Sequence, residues 1–342
     1  PCPLRGQAWG RQEGTKMTGQ LTPIAALDIL PDGTIRRVTD PWPAPAPGDG
    51  ALWRWLHCDR TDPAFAEWSR AHLPSLARSG LVQAETRPRF DMLDDGLVLN
   101  LRAINLNPEQ AEEDMVSMRL WMTPLLVVST RYRRMFVIEE LVAAMEAGRA
   151  PLSTGAFAVR LADRITARIE SVAAEREESL DEVEEQLLDA HPDRVGTGET
   201  EIALIARSII KMRRYIAPQR EALARFAASD APYITKAERF ALREIANRTT
   251  RSVEDLDTIR ERLASLRAHI DGLNAARIGR NGFVLSIVAA IFLPLGFLTG
   301  LFGVNLAGMP GGNWPGAFAA LCAGTAVLGV ALWFFFRWKR WF

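Results

Sequence analysis

The chain has 342 residues, enough for one large or two ordinary domains, and its 41 basic residues balance 41 acidic ones. No nucleic-acid partner is expected from such a charge. The three cysteines, Cys2, Cys58 and Cys322, are too scattered for a disulfide framework and suit a reducing cytoplasm.

Residues 1–16, PCPLRGQAWGRQEGTK, lack the apolar core of a signal peptide. Met17 reads as the natural start, which leaves 1–16 as a non-native or disordered extension. Residues 17–150 read as a mixed α/β domain. Within it, IAALDIL and TIRRV flank PDG, a turn signal that predicts a hairpin. Strand candidates follow at 51–57 (ALWRWLH), 96–106 (GLVLNLRAINL), 114–122 (DMVSMRLWM), 125–130 (LLVVST) and 134–138 (RMFVI). Residues 63–73 read as a helix opened by an Asp cap and a first-turn Pro.

Residues 151–232 read as a helical hairpin. Its first helix, 157–189, and its second, 200–228, are broken by HPDRVGTGE and predicted to run antiparallel. The acidic stretch AEREESLDEVEEQLLD in the first helix reads as a solvated face, the alternative being a cation-attracting surface.

A stalk helix is predicted over 233–282, continuing without a break into an apolar span. Two heptad registers run along it. One holds Leu242, Thr249, Leu256, Leu263, Ile270 and Arg277; the other holds Ile245, Ser252, Ile259, Leu266, Leu273 and Arg280. A helix from Ile234 to Phe302 would be about 100 Å long at 1.5 Å per residue, too long for one small domain to bury. Its seam must pack against its own hairpin or against other copies, and is read here as a sign of homo-oligomerisation. Thr249 and Ser252 soften the seam, while Arg277 and Arg280 form a basic pair at the membrane boundary, the usual role of which is to reach lipid phosphates.

Residues 283–302 and 316–336 are two uncharged runs, each long enough to cross a hydrocarbon core of about 30 Å. Basic flanks at Arg277 and Arg280, and again at Arg337, Lys339 and Arg340, place both termini in the cytoplasm by the positive-inside rule. The charge-free loop 303–315 then faces outward and 337–342 forms a basic cytoplasmic tail. Trp314, Trp333, Trp338 and Trp341 fall near the ends of the second span, where interfacial anchors belong. Two spans are too few to enclose a path, so a conduit would need several copies around an axis. Leu285, Ala289, Leu293, Gly296 and Gly300 share one face of the first span and are the candidates to line it, although small residues also serve ordinary helix packing.

Catalytic constellations are missing from this pattern. His57, His72, His191 and His269 are far apart and read as surface or core residues; there is no HExxH, CxxC or nucleophile elbow. The glycine cluster at 303–312 lacks the Lys of a phosphate loop. Neither an enzyme nor a bound cofactor is expected.

The first span ends in Gly303-Val304-Asn305. This tripeptide resembles the Gly-Met-Asn hallmark of the CorA-type divalent-cation transporters. Its GVN form, continued as LAGMPGG, is similar to the ZntB zinc-transporter branch, as are ETRPRF (85–90), LVLNLRAINLNP (97–108) and EDMVSMRLWMTP (113–124). The resemblance covers about residue 20 to the end. It implies a homopentamer in the bacterial inner membrane, with an α/β/α cytoplasmic funnel domain, a helical hairpin and a long stalk that continues as the pore-lining span. It also implies that Gly303, Val304 and Asn305 form the pore entrance, with five copies of Asn305 meeting a hydrated dication through its waters. Direct Zn²⁺ ligation favours His or Cys, which the loop lacks; a conduit instead needs binding weak enough to release. Magnesium-type members commonly carry an acidic residue after the tripeptide, where Met309-Pro310-Gly311-Gly312 stands here, so the mouth lacks a carboxylate ring. Neither span holds a carboxylate or His, and any proton-coupling group must then lie in the cytoplasmic part. The reading is a zinc-preferring divalent-cation transporter. Its alternatives are a Mg²⁺/Co²⁺/Ni²⁺ channel of the same type and a membrane-anchored oligomeric sensor or scaffold. Cytoplasmic metal sites are not assigned by the sequence.

Overall fold

The computed structural model describes residues 22–83, 87–93, 95–189, 195–304 and 314–338, which form two compact units divided after Ser265. The extension 1–16, Glu85 and Thr86 of the ETRPRF stretch, His191 and the loop residues 305–313 lie outside the described residues, as do 339–342 of the tail.

The first unit is built on a seven-stranded sheet in the order β2-β1-β3-β7-β6-β5-β4. Strands β1 (Ala25–Ile29) and β2 (Ile35–Arg37) form the hairpin that the PDG turn requires, with Gly33 at φ 80° supplying the left-handed turn position. Strand β3 (Trp53–Asp59) pairs antiparallel with β1 and parallel with β7 (Leu126–Arg131). The remaining pairs, β4 (Arg89–Leu93) with β5 (Gly96–Ala103), β5 with β6 (Val116–Met122) and β6 with β7, are antiparallel.

Both faces of this sheet are covered. Helix α1 (Pro63–His72) starts with Asp62 accepting from the Ala64 amide at 2.8 Å and Pro63 in its first turn. It packs with α2 (Ser75–Val82) over one face, joining Phe65, Trp68, Ala77 and Leu81 to Leu56, Cys58 and Trp121. On the opposite face, Trp53 and Trp55 meet Phe157 with ring centroids 5.5 and 4.9 Å apart, and Phe90 stacks on Phe226. Those partners belong to α4 (Thr154–Asp189) and α5 (Val195–Ala227). The α/β/α arrangement that the resemblance implies is therefore present, and with both faces covered β5 and β7 are buried almost throughout.

One strand candidate is corrected. Residues 134–138, RMFVI, open helix α3 (Phe136–Glu146), because the following EELVAAME continues an apolar stripe at helical spacing through Ile138, Leu141, Val142 and Met145.

Helix α6 (Lys236–Gly303) runs unbroken from the first unit into the second. It begins with a reciprocal capping box: the Thr235 amide donates to Glu238, and the Glu238 amide donates to the Thr235 hydroxyl. Glu238 also accepts from Ser153, whose oxygen caps α4, so α4 and α6 start side by side.

That placement corrects the reading of the heptad seam. Leu242, Ile245, Thr249, Ser252, Leu256, Ile259 and Leu263 are all buried within the single chain. Thr249 meets Thr166 of α4 in this interior. A heptad stripe states that helices share an axis but not whose helices they are; here the chain's own hairpin covers it through Leu263, so this part of the seam is not an interface between copies. Leu273, further along, is 45% exposed.

Candidate permeation path

The first unit holds the stalk through charge as well as through the seam. Arg248 of α6 donates to Asp163 at 2.5 Å and to Glu170 at 2.9 and 2.5 Å on α4. Arg262 binds Asp181 and Glu184, and Arg213 of α5 binds Asp257 of α6. These hydrogen bonds hold the Arg248 and Arg262 guanidiniums above the usual arginine range; the bond from Arg213 lowers the Asp257 carboxyl. Three acids of the stretch read as solvated, Glu177, Asp181 and Glu184, thus face Arg262. Sequence reasoning missed these clamps, since nothing local pairs residues so far apart along the chain.

In the second unit, the apolar part of α6 and helix α7 (Ala317–Trp338) are each long and apolar enough to cross a membrane. At about 100° per residue, α6 presents two faces. Ile287, Ile291, Pro294, Leu295 and Leu298 lie on the less exposed one, and Leu295 comes within 4.0 Å of where a Cβ would stand on Gly329 of α7. Leu285, Ala289, Leu293, Gly296 and Gly300 lie on the other. All five are exposed, Leu285 to 70% and Leu293 to 71%. A Cβ placed on Gly296 or Gly300 would meet nothing within 4 Å, so this face has room for another backbone to approach.

Polar groups within the spans are satisfied locally. Ser286 donates to the Gly282 carbonyl at 2.9 Å, Thr299 to Leu295 at 3.0 Å, and Thr325 to Leu321 at 2.9 Å. No hydroxyl of these three asks lipid for a partner. Pro294 removes one backbone donor from the middle of the first span, a loss tolerated where protein or water is near.

At the span ends, Trp314, Trp333 and Trp338 are exposed, and Arg337 lies 5.5 Å over the Trp333 ring. Arg277 and Arg280 are exposed on α6 ahead of the first span. Gly303 is the last residue of α6 and Val304 is exposed beyond it; Asn305 lies outside the described residues. Elsewhere, His57 is buried with its Nδ1 2.8 Å from the Ser129 hydroxyl, and burial, with the charge of Arg131, lowers its pKa to about 3. His72 stacks on Trp68, and His269 is exposed. Among the described residues no three His, Cys, Asp or Glu side chains converge to hold a metal ion.

The family model described as CorA-like Mg²⁺ transporter protein matches residues 50–340 of this sequence. The chain belongs to the CorA-like transporter family. Zinc transport protein ZntB of Yersinia enterocolitica is 35% identical to it over 283 residues, covering 82% of this chain and 85% of that protein. Such relatives place this CorA-like chain on the ZntB branch. The full-length CmaX structure superposes with a TM-score of 0.80 at 31% identity, covering 95% of this chain and 100% of that one. The complete CorA magnesium transporter of Methanocaldococcus jannaschii gives a TM-score of 0.76 over 93% of this chain and 98% of its own; at 18% identity it speaks for the fold alone.

Proposed function

We propose that this CorA-like chain carries divalent cations, Zn²⁺ foremost, across a bacterial inner membrane as a homopentamer. The observation that carries the reading is the uncovered face of the first span, Leu285-Ala289-Leu293-Gly296-Gly300, turned away from the side of α6 that approaches α7. A face that is apolar, small and open in one copy is suited to meet other copies around an axis. The name of the Yersinia relative adds zinc to the reading.

In this account both termini are cytoplasmic, and residues 17–150 and 151–232 make the funnel wall. Residues 233–282 are the stalk, 283–302 and 316–336 the spans, and 303–315 the outward loop. Gly303, Val304 and Asn305 form the entrance. The carboxamide of Asn305 hydrogen-bonds the water shell of the ion and does not replace it, because stripping Zn²⁺ would call for His or Cys ligands. The ion then descends past the open face toward Arg277 and Arg280, whose positive charge disfavours a bare dication at the inner end and makes passage with its waters the easier course. The chain acts as a transporter and not as a catalyst, with the ion as cargo.

Proteoliposomes containing the wild type or Asn305→Ala test this reading. Zn²⁺ flux should fall in the variant, and Zn²⁺ should compete more strongly than Mg²⁺, Co²⁺ or Ni²⁺. Unchanged flux in Asn305→Ala removes that residue from the mechanism; preference for another ion assigns the chain that cargo instead.

A further inference from the structure

The first unit holds a cavity of about 500 Å³ at one end of its sheet. Strands β3, β7 and β5 point the same way, since β3 and β7 are parallel and β6 is antiparallel to both β7 and β5. Their carboxyl ends bring Arg60, Arg133 and Arg102 to the cavity; β6 adds Arg119, and α5 adds Lys211 and Arg214. The carboxyl ends of parallel strands are where α/β sheets place ligands. A volume of this order fits small-molecule sites, about 300–1,000 Å³, and exceeds what one orthophosphate fills.

The lining is cationic. Against these six basic groups stand Glu113 and Asp114, and both face Lys211, at 3.8 and 2.7 Å. Arg119 is only 3% exposed, donating to the Ser117 hydroxyl and the Leu81 carbonyl, each at 3.2 Å. Burial and the charges of Arg60, Arg102 and Arg89 lower its pKa to about 10. Arg60 gives one nitrogen to the Val82 carbonyl, while its buried Nε has no partner among the described residues. Two tyrosines hold the guanidiniums in place: Arg60 lies 5.1 Å over the Tyr132 ring, and Arg102 lies 4.4 Å over Tyr215. So many like charges in one partly enclosed space repel each other, and a multivalent anion relieves that repulsion through charge-assisted hydrogen bonds.

We propose that this cavity binds the oligophosphate chain of a small anion. The chemistry is shared by nucleotides and inorganic oligophosphates. It does not depend on the ion that the membrane unit carries.

Calorimetric titration of the full chain, purified in detergent and treated with EDTA, tests this with ATP, tripolyphosphate and orthophosphate at low salt. ATP or tripolyphosphate should bind once per chain and orthophosphate more weakly. Tighter binding of ATP assigns the nucleotide as source; equal or tighter binding of tripolyphosphate assigns the phosphate chain alone. Arg119→Met removes a buried group and risks the fold, so the exposed pair Arg133→Ala/Arg214→Ala carries the test. It should weaken oligophosphate binding about tenfold or more, the loss of a charge-assisted contact. Arg277→Ala/Arg280→Ala should leave it unchanged. No binding by either oligophosphate, or equal affinity in wild type and Arg133→Ala/Arg214→Ala, overturns the proposal.

Discussion

Leu256→Ala tests whether the stalk seam is an internal core. Leu256 is fully buried in the single chain, between α6 and the hairpin that covers it. Removing three carbons forfeits about 0.8 kcal/mol each in transfer free energy, roughly 2.4 kcal/mol in all. A residual cavity of about 50 Å³ at about 24 cal/mol per Å³ adds ~1 kcal/mol, for a total of about 3.5 kcal/mol. Urea unfolding, followed by fluorescence of the buried Trp53, Trp55 and Trp121, measures the loss. Because the partner helices belong to the same chain, the loss should be the same at low and high protein concentration. A loss below about 1 kcal/mol would mean that the hairpin does not cover the seam, and a mutational effect that vanishes on dilution would mean that other copies do.

Three further outcomes follow from the same structure. His57 stays neutral when folded down to about pH 3, whereas its unfolded counterpart takes a proton near pH 6.5. Its contribution is thus whole above pH 6.5 and declines on acidification, by about 2 kcal/mol at pH 5. His57→Gln should shrink the difference between melts at pH 7 and pH 5; an undiminished difference contradicts this. Asp28 is buried against Arg54, which donates to it at 2.7 and 2.9 Å, so Asp28→Asn leaves a buried guanidinium uncompensated and should cost about 3 kcal/mol in urea unfolding. Gly300→Leu puts bulk on the open face of the first span and should abolish Zn²⁺ flux without moving the melt of the first unit; retained flux would take that face out of the path.

Much of the fold was legible because it obeys local rules. Asp62 and Pro63 announced α1, PDG announced the first hairpin, and two uncharged runs of span length announced the C-terminal helices. Helix α2 went unread because Pro74 offers no capping side chain and Gly80 sits inside SLARSGLV, a weak helical pattern. The Gly80 position is filled tightly by its neighbours: a Cβ there would come 2.9 Å from Val98. Strand β4 went unread because RFDML mixes charge with apolar residues at a sheet edge. RMFVI taken alone has the composition of a strand, and only the EELVAAME that follows it carries the helical spacing.

The site was legible to a different degree. The spacing of Leu285, Ala289, Leu293, Gly296 and Gly300 puts them on one face, and the structure adds that this face is exposed; the heptad spacing is less informative, since period alone does not tell an internal partner from another copy. The basic cavity is built from separate segments, Arg60, Arg102, Arg119, Arg133 and Arg214 among them, that only the strand order brings together. No local pattern could show it.

Carriage of a dication through an assembly of this chain is the property on which the rest of the proposed function depends. It is tested most directly by Zn²⁺ entry into liposomes that contain the purified protein and a trapped zinc indicator, with and without a pH gradient. Entry should be saturable, above that of empty liposomes, and faster for Zn²⁺ than for Mg²⁺; entry no faster than in empty liposomes would mean that the chain does not carry the ion.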